Sequence, residues 1–195
     1  MNVILKEIKE HLPFTLIATF LAVVVAVLTL DLNVSELFHV FHPLHLFASA
    51  IVTSAIFYKY KKNFVNALLI GIIGSIIIGS LSDIIFPYLG GLVFGFDMSL
   101  HLSIIEEPLI ILCSAILGSL FGMKIEATKF PHFVHVLLSV FASMFYILNF
   151  GKGFSLIDFI ISFVIVFIAV LIPCCLSDII FSMLFVGKGK GYSSE

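Results

Sequence analysis

Long apolar runs separated by short polar connections dominate the chain. The runs cover approximately Pro13 to Leu30, Glu36 to Tyr58, Phe64 to Gly95, Met98 to Met123, Phe130 to Phe150 and Leu156 to Gly187. Each reaches the roughly 18 residues that mark a membrane-spanning helix, so the pattern predicts six helices joined by short loops. The third and sixth runs are a little over 30 residues long, which as continuous helix would be roughly 46 Å against a hydrocarbon layer of roughly 30 Å. They must tilt, break or protrude. Both contain helix-disturbing residues: Gly79, Pro87, Gly90 and Gly91 in the third and Pro173 in the sixth. Tilting with a short interfacial helix is one reading. A discontinuous helix that carries a site is the other.

Composition removes the soluble alternative. Hydrophobic residues make up 61% of the 195 and charged residues 11%, with a mean hydropathy of +1.24, whereas soluble domains carry about 25% charged residues. An all-α integral membrane protein in contact with the lipid bilayer is expected, in the plasma membrane of a prokaryotic cell. A net charge of −2, with ten lysines and no arginine, leaves no basic face for a nucleic acid. Neither a GxxxxGKS/T loop nor a GxGxxG fingerprint occurs, so ATP-driven work by this chain alone is not expected. Cys113, Cys174 and Cys175 are odd in number and lie in apolar stretches, which gives no disulfide framework. The first run is followed by Asp31 and Glu36 rather than a small-residue cleavage site, and reads as a retained helix.

Lysine placement orients the spans, because positive charge is retained in cytoplasmic loops. With the N-terminus inside, Lys6, Lys9, Lys59, Lys61, Lys62, Lys124, Lys129, Lys188 and Lys190 are all cytoplasmic. Only Lys152 falls outside, while the other external loops hold Asp31, Glu36 and Asp97. Six spans with both termini in the cytoplasm follow.

Two motifs recur in the same order. His42, His45, Ser49 and Thr53 read HxxHxxxSxxxT, and His132, His135, Ser139 and Ser143 read HxxHxxxSxxxS, 90 residues further on. The string LSDIIF occurs at Leu81 to Phe86 and again, 95 residues later, at Leu176 to Phe181. The first and fourth runs correspond more weakly, through Pro13 and Pro108 with Glu10, Glu106 and Glu107 just before them. The chain therefore divides into a first three-helix repeat over 1–95, a second over 96–187 and a cytoplasmic tail over 188–195. Three spans per repeat is an odd number, so the second half must be inverted relative to the first. Inverted halves in secondary transporters place a binding site near the bilayer midplane and alternate access to it.

Positions 42, 45, 49 and 53 share one helical stripe, as do 132, 135, 139 and 143. Two imidazoles at i and i+3 can address one ion, and a mixed imidazole and carboxylate set favours a first-row divalent metal. His42, His45, Asp83 and a carboxylate from Glu106 or Glu107 are expected at a similar depth, about 12 to 14 Å from the external side. Glu106 is favoured, since adjacent helical residues point about 100° apart. His132, His135 and Asp178 form the inverted counterpart, with Glu10 and His11 at its cytoplasmic mouth. The two sets are either separate sites or one binuclear centre. Ionisable residues inside a membrane are functional candidates by default. His39, His101 and the Ser/Thr positions taken singly read instead as helix-to-helix hydrogen bonds, Cys174 and Cys175 as apolar filling, and Gly118 with Gly122 as a close-packing GxxxG.

The resulting expectation is a membrane transporter of divalent transition metal ions, zinc favoured, coupled to protons because the same groups bind either. The metal ligands expected are His42, His45, Asp83, Glu106, Glu107, His132, His135 and Asp178, and a homo-oligomer is compatible with them. The alternative is an intramembrane metal-dependent hydrolase acting on a lipid or peptide. It lacks an HExxH motif, and duplication serves two-sided access better than a single asymmetric centre.

Overall fold

Prolines and polar residues at the ends of the apolar runs set where helices begin and where their hydrogen-bond ladders shift. The computed structural model describes the backbone of residues 2–29, 35–125, 129–152 and 155–176, with side chains except at 2–11, 35, 129–133, 156 and 174–176. Among the described residues the chain is helical apart from short connections and one two-residue β-ladder. Helix α1 spans Asn2–Leu28 and carries Pro13 inside it, so it starts well before the first apolar run. Helix α2 spans Ser35–Tyr60 and contains Pro43.

The third run stays helical, but not uniformly α. Asn63 caps α3, Phe64–Ser80, by accepting from the Asn66 amide at 3.0 Å. A π-helical turn follows over Leu81–Ile85, and α4 continues over Phe86–Val93. Within the turn the Phe86 amide donates to the Leu81 carbonyl. Pro87 has no amide to give to the carbonyl of Asp83 four residues back, and a π turn accommodates such a defect without breaking the helix. Asp83 lies at the centre of this turn. The chain leaves α4 through Gly95, whose φ of +83° suits glycine, with the Phe96 amide returning to the Gly91 carbonyl at 2.8 Å.

The fourth helix starts ten residues later than the apolar run does. Strand β1, Asp97–Met98, is followed by an extended stretch and a single turn, α5, Ser103–Glu106. Glu107 is non-helical at φ −130° and ψ 49°, as expected immediately before a proline. Pro108 then opens α6, Pro108–Ile125. Glu106 and Glu107 therefore precede the long helix instead of lying eight or nine residues inside it. Helix α7, Lys129–Phe150, runs into strand β2, Gly151–Lys152, which pairs antiparallel with β1 so that Asp97 faces Lys152. Helix α8, Leu156–Ala169, begins with a capping box of Ser155 and Asp158 and passes into a second π-helical segment, Val170–Leu176, that contains Pro173.

Helix α2 is the centre of the bundle and packs against α3, α6 and α7. Small residues set the closest approach: a methyl group at Gly118 would meet the backbone oxygen of Phe47, and one at Gly122 the backbone oxygen of Ile51. Ser54 adds a hydrogen bond to the Ser119 carbonyl at 3.0 Å. Phe41 stacks on Phe141 and Phe145 of α7, with centroids 5.2 and 5.5 Å away. Helix α1 packs on α7 and α8, and the two π-helical segments touch.

Among the described residues three helical stretches, Glu36–Tyr60, Phe64–Val93 and Pro108–Ile125, are long and apolar enough to cross a membrane. Shorter apolar helices cover Leu12–Leu28, Val134–Phe150 and Ile157–Pro173. The most apolar window of the first stretch is 78% buried, against 33% in the other two, so α3 and α6 turn rows such as Leu69, Ile73, Ile77 and Leu109, Leu117, Phe121 outward. Such an apolar exterior requires lipid contact, and the protein is membrane-associated.

Candidate metal centre

Helix α2 places His42 and His45 one turn apart, and both address the π turn of the neighbouring helix. The Nδ1 atoms of His42 and His45 lie 2.8 and 2.6 Å from the same atom, Oδ2 of Asp83. All three side chains are at most 1% exposed. The other carboxylate oxygen, Oδ1, accepts from Ser82 at 2.7 Å and from Ser139 of α7 at 2.8 Å. Ser143 donates to the Ser82 carbonyl at 3.0 Å and so ties α7 to the π turn a second time. Burial of an ionised carboxylate is costly unless partners satisfy it, and here four side chains converge on one.

The imidazoles are held from their faces. Phe38 stacks on His42, with centroids 5.2 Å apart and planes 13° off parallel. His135, from the second half of the chain, stacks on His45 at 5.7 Å and 16°. The Nε2 atom of His42 is buried without a hydrogen-bond partner among the described residues.

This geometry can hold a metal ion. One nitrogen from each histidine and one Asp83 oxygen all lie within 4.8 Å of one another, and among the described residues this is the one such group. Two imidazoles and a carboxylate make a three-ligand set for a first-row divalent ion, and three protein ligands leave a position through which an ion can exchange. The Ser82 and Ser139 hydroxyls are directed at the carboxylate.

Glu106 and Glu107 lie elsewhere. Their position before Pro108 puts them at the loop end of the bundle, where His101 Nδ1 lies 2.8 Å from Glu106 Oε2 and His39 Nδ1 lies 2.8 Å from Glu107 Oε1. His101 also stacks on Phe150 at 4.5 Å, and its backbone amide donates to the Tyr146 hydroxyl at 3.1 Å. Burial lowers the pKa of His101 from its ordinary value, against the opposing pull of the Glu106 carboxylate. The structure thus brings His42, His45 and Asp83 together, adds His135 as a stacking neighbour, and pairs the two glutamates with the histidines outside that group. His132 lies on α7, but its side chain, like those of Glu10, His11, Cys174 and Cys175, is outside the described residues, as is all of Asp178.

Sequence reasoning missed the roles of Ser82 and Ser139 as carboxylate partners. The signal was present for Ser139, which shares the helical stripe of His135. It was weak for His39 and His101, since nothing in a linear pattern aligns α2 with the turn before Pro108. The chain matches no protein-family model, and no curated protein or solved structure is significantly similar to it.

Proposed function

We propose that the chain is a membrane transporter of divalent transition metal ions, zinc or a close chemical relative, that exchanges metal for protons. The observation that carries this reading is the convergence of two buried imidazoles on one oxygen of a buried carboxylate, on helices long enough to cross a membrane. In the proton-loaded state, N–H groups of His42 and His45 donate to Asp83. A metal ion takes the same Nδ1 lone pairs only after those protons have moved to Nε2 or left the site. Every imidazole that starts doubly protonated therefore returns a proton when metal binds, which is the chemical basis of exchange.

Six spans arranged as two inverted halves form part of the proposal. Helix α1 packs against α7 and α8 of the second half, and α6 packs against α2 and α3 of the first. That reciprocal pattern accords with the duplicated motifs. The ladder of Asp97 with Lys152 draws the connections after the third and fifth apolar runs to one end, where an N-in, six-span arrangement puts both. Under the repeat, His132, His135 and Asp178 supply the second half of the path, and the stacking of His135 on His45 brings the two halves to a common boundary.

Reconstitution tests the reading. Zinc flux into proteoliposomes should follow an imposed pH gradient and should vanish in Asp83→Asn, which keeps size but removes the charge that balances the cation in a low-dielectric site. Zinc binding without gradient-dependent flux would contradict transport and favour intramembrane metal chemistry.

A further inference from the structure

The connection from α4 to α6 folds back over the buried group. It leaves α4 at Gly95, with φ +83°, and ends at Glu107, non-helical at φ −130° before Pro108. Apart from β1, only the single turn α5 is regular between these points. Its side chains are nevertheless buried at Met98, His101 and Ser103, which are 8%, 9% and 1% exposed. Met98 and Leu102 pack into one apolar cluster with Phe38 and Ile84. Phe38 lies one turn before His42 on α2, and Ile84 is next to Asp83.

The layers over the buried group can be followed ring by ring. His101 meets Phe38 edge to face, with centroids 5.8 Å apart. Phe38 in turn lies flat on His42 at 5.2 Å and 13°. Phe38 is 0% and His42 1% exposed, so at the loop end one imidazole and one phenyl ring stand over the site. Nε2 of His42 is buried beneath them without a partner among the described residues.

Few polar contacts hold the connection down. The His101 amide donates to the Tyr146 hydroxyl at 3.1 Å, and that hydroxyl donates to the Ser99 carbonyl at 3.4 Å. The Ser99 amide donates to the Phe150 carbonyl at 2.8 Å, so all of these fasten to the end of α7. On the α2 side, His39 Nδ1 lies 2.8 Å from Glu107 Oε1, with both side chains partly exposed. Lifting the connection breaks these contacts and no long helix, which is the character of a lid.

We propose that residues 96–107 are a lid over His42, His45 and Asp83, held shut by Tyr146 and the His39–Glu107 pair, and that its lifting admits the divalent metal ion from the loop end. The identity of the cargo rests on the metal reading of the buried group, whereas the cover itself does not. A closed lid keeps water from the ligands, and exchange of the ion waits on its opening.

Diethyl pyrocarbonate modification of His42, followed by peptide mass spectrometry on the metal-free, detergent-purified full chain, tests the lid. The wild-type rate should be slow relative to a free imidazole. Tyr146→Phe should raise it about three- to tenfold, the opening that loss of one or two hydrogen bonds allows. Glu107→Ala should raise it about two- to fivefold, as expected for a partly exposed pair. Gly122→Ala, which crowds the Ile51 carbonyl farther along α2, should leave it at the wild-type rate. Acceleration in either lid variant with Gly122→Ala unchanged supports the lid. Wild-type His42 that reacts like a free imidazole, or lid variants that both react at the wild-type rate, overturn it. Equal acceleration by Gly122→Ala also overturns it, because labelling then reports general loosening. Zinc separates the two readings: added zinc should suppress labelling of His42 in the wild type and in both lid variants. If it does not, while the lid variants still accelerate labelling, the metal reading fails and the lid stands.

Discussion

Ser139 on α7 donates its hydroxyl to Oδ1 of Asp83 at 2.8 Å, joining residues 56 positions apart in the chain. The carboxylate is thereby divided, with Oδ2 turned to the histidines of α2 and Oδ1 held by serines. Ser139 fixes the direction in which Oδ2 points without itself reaching the imidazoles. Hydrogen-bond partners of this kind typically change metal affinity by about 10–100-fold. Ser139→Ala should therefore weaken zinc binding by about that factor, read by competition dialysis, while leaving helix content unchanged by circular dichroism. Unaltered affinity would mean that Ser82 alone orients the carboxylate.

The approach of α6 to α2 fixes the helix that carries both histidines. A Cβ at Gly118 would collide with the Phe47 carbonyl, and one at Gly122 with the Ile51 carbonyl. Backbone cannot step aside as a flexible side chain can, so the helices must separate. Gly118→Ala and Gly122→Ala should each cost about 1–3 kcal/mol, the range for overpacked interiors, and appear as a lower melting temperature in detergent. Melting at the wild-type temperature in both would show that the contact is looser than the bundle geometry requires.

Pattern and chemistry located different parts of the molecule with different success. The pairing of His42 and His45 with Asp83 was legible because helical spacing puts the histidines on one stripe, and apolar surroundings make a carboxylate there conspicuous. The helical character of the third run was legible too, but the π turn around Asp83 was not. Pro87 signals a defect, and whether a helix answers by breaking or by shifting its ladder depends on neighbours that a linear sequence does not reveal. Glu106 and Glu107 were misplaced in depth because the apolar run continues through them to Met98. Pro108 was the better boundary marker, since proline disfavours helix at the residue before it. Ser139 came to Asp83 through tertiary packing of α7, which no local pattern encodes.

Topology has its own test. Single cysteines at Asp97 and Lys152, which face each other across the β-ladder, should react with a membrane-impermeant maleimide on intact cells. A cysteine at Lys62, in the connection between α2 and α3, should react only after permeabilisation. Labelling of Lys62 and Lys152 from the same side would contradict six spans in inverted halves.

Acidification should release metal. Protons compete for imidazole nitrogen and carboxylate oxygen, so zinc affinity should fall as pH drops. Equilibrium dialysis over a pH series measures this directly. Affinity that does not weaken anywhere in an acid-going series would contradict imidazole and carboxylate ligands.

Zinc K-edge X-ray absorption on purified protein loaded with one equivalent bears most directly on the claim that His42, His45 and Asp83 hold the ion. The predicted spectrum has a nitrogen and oxygen shell at about 2.0 to 2.2 Å with outer-shell scattering from two imidazoles. That scattering should fall by half in His45→Ala and disappear in His42→Ala/His45→Ala. A six-oxygen hydrated ion, or a spectrum identical in wild type and the double variant, would contradict it.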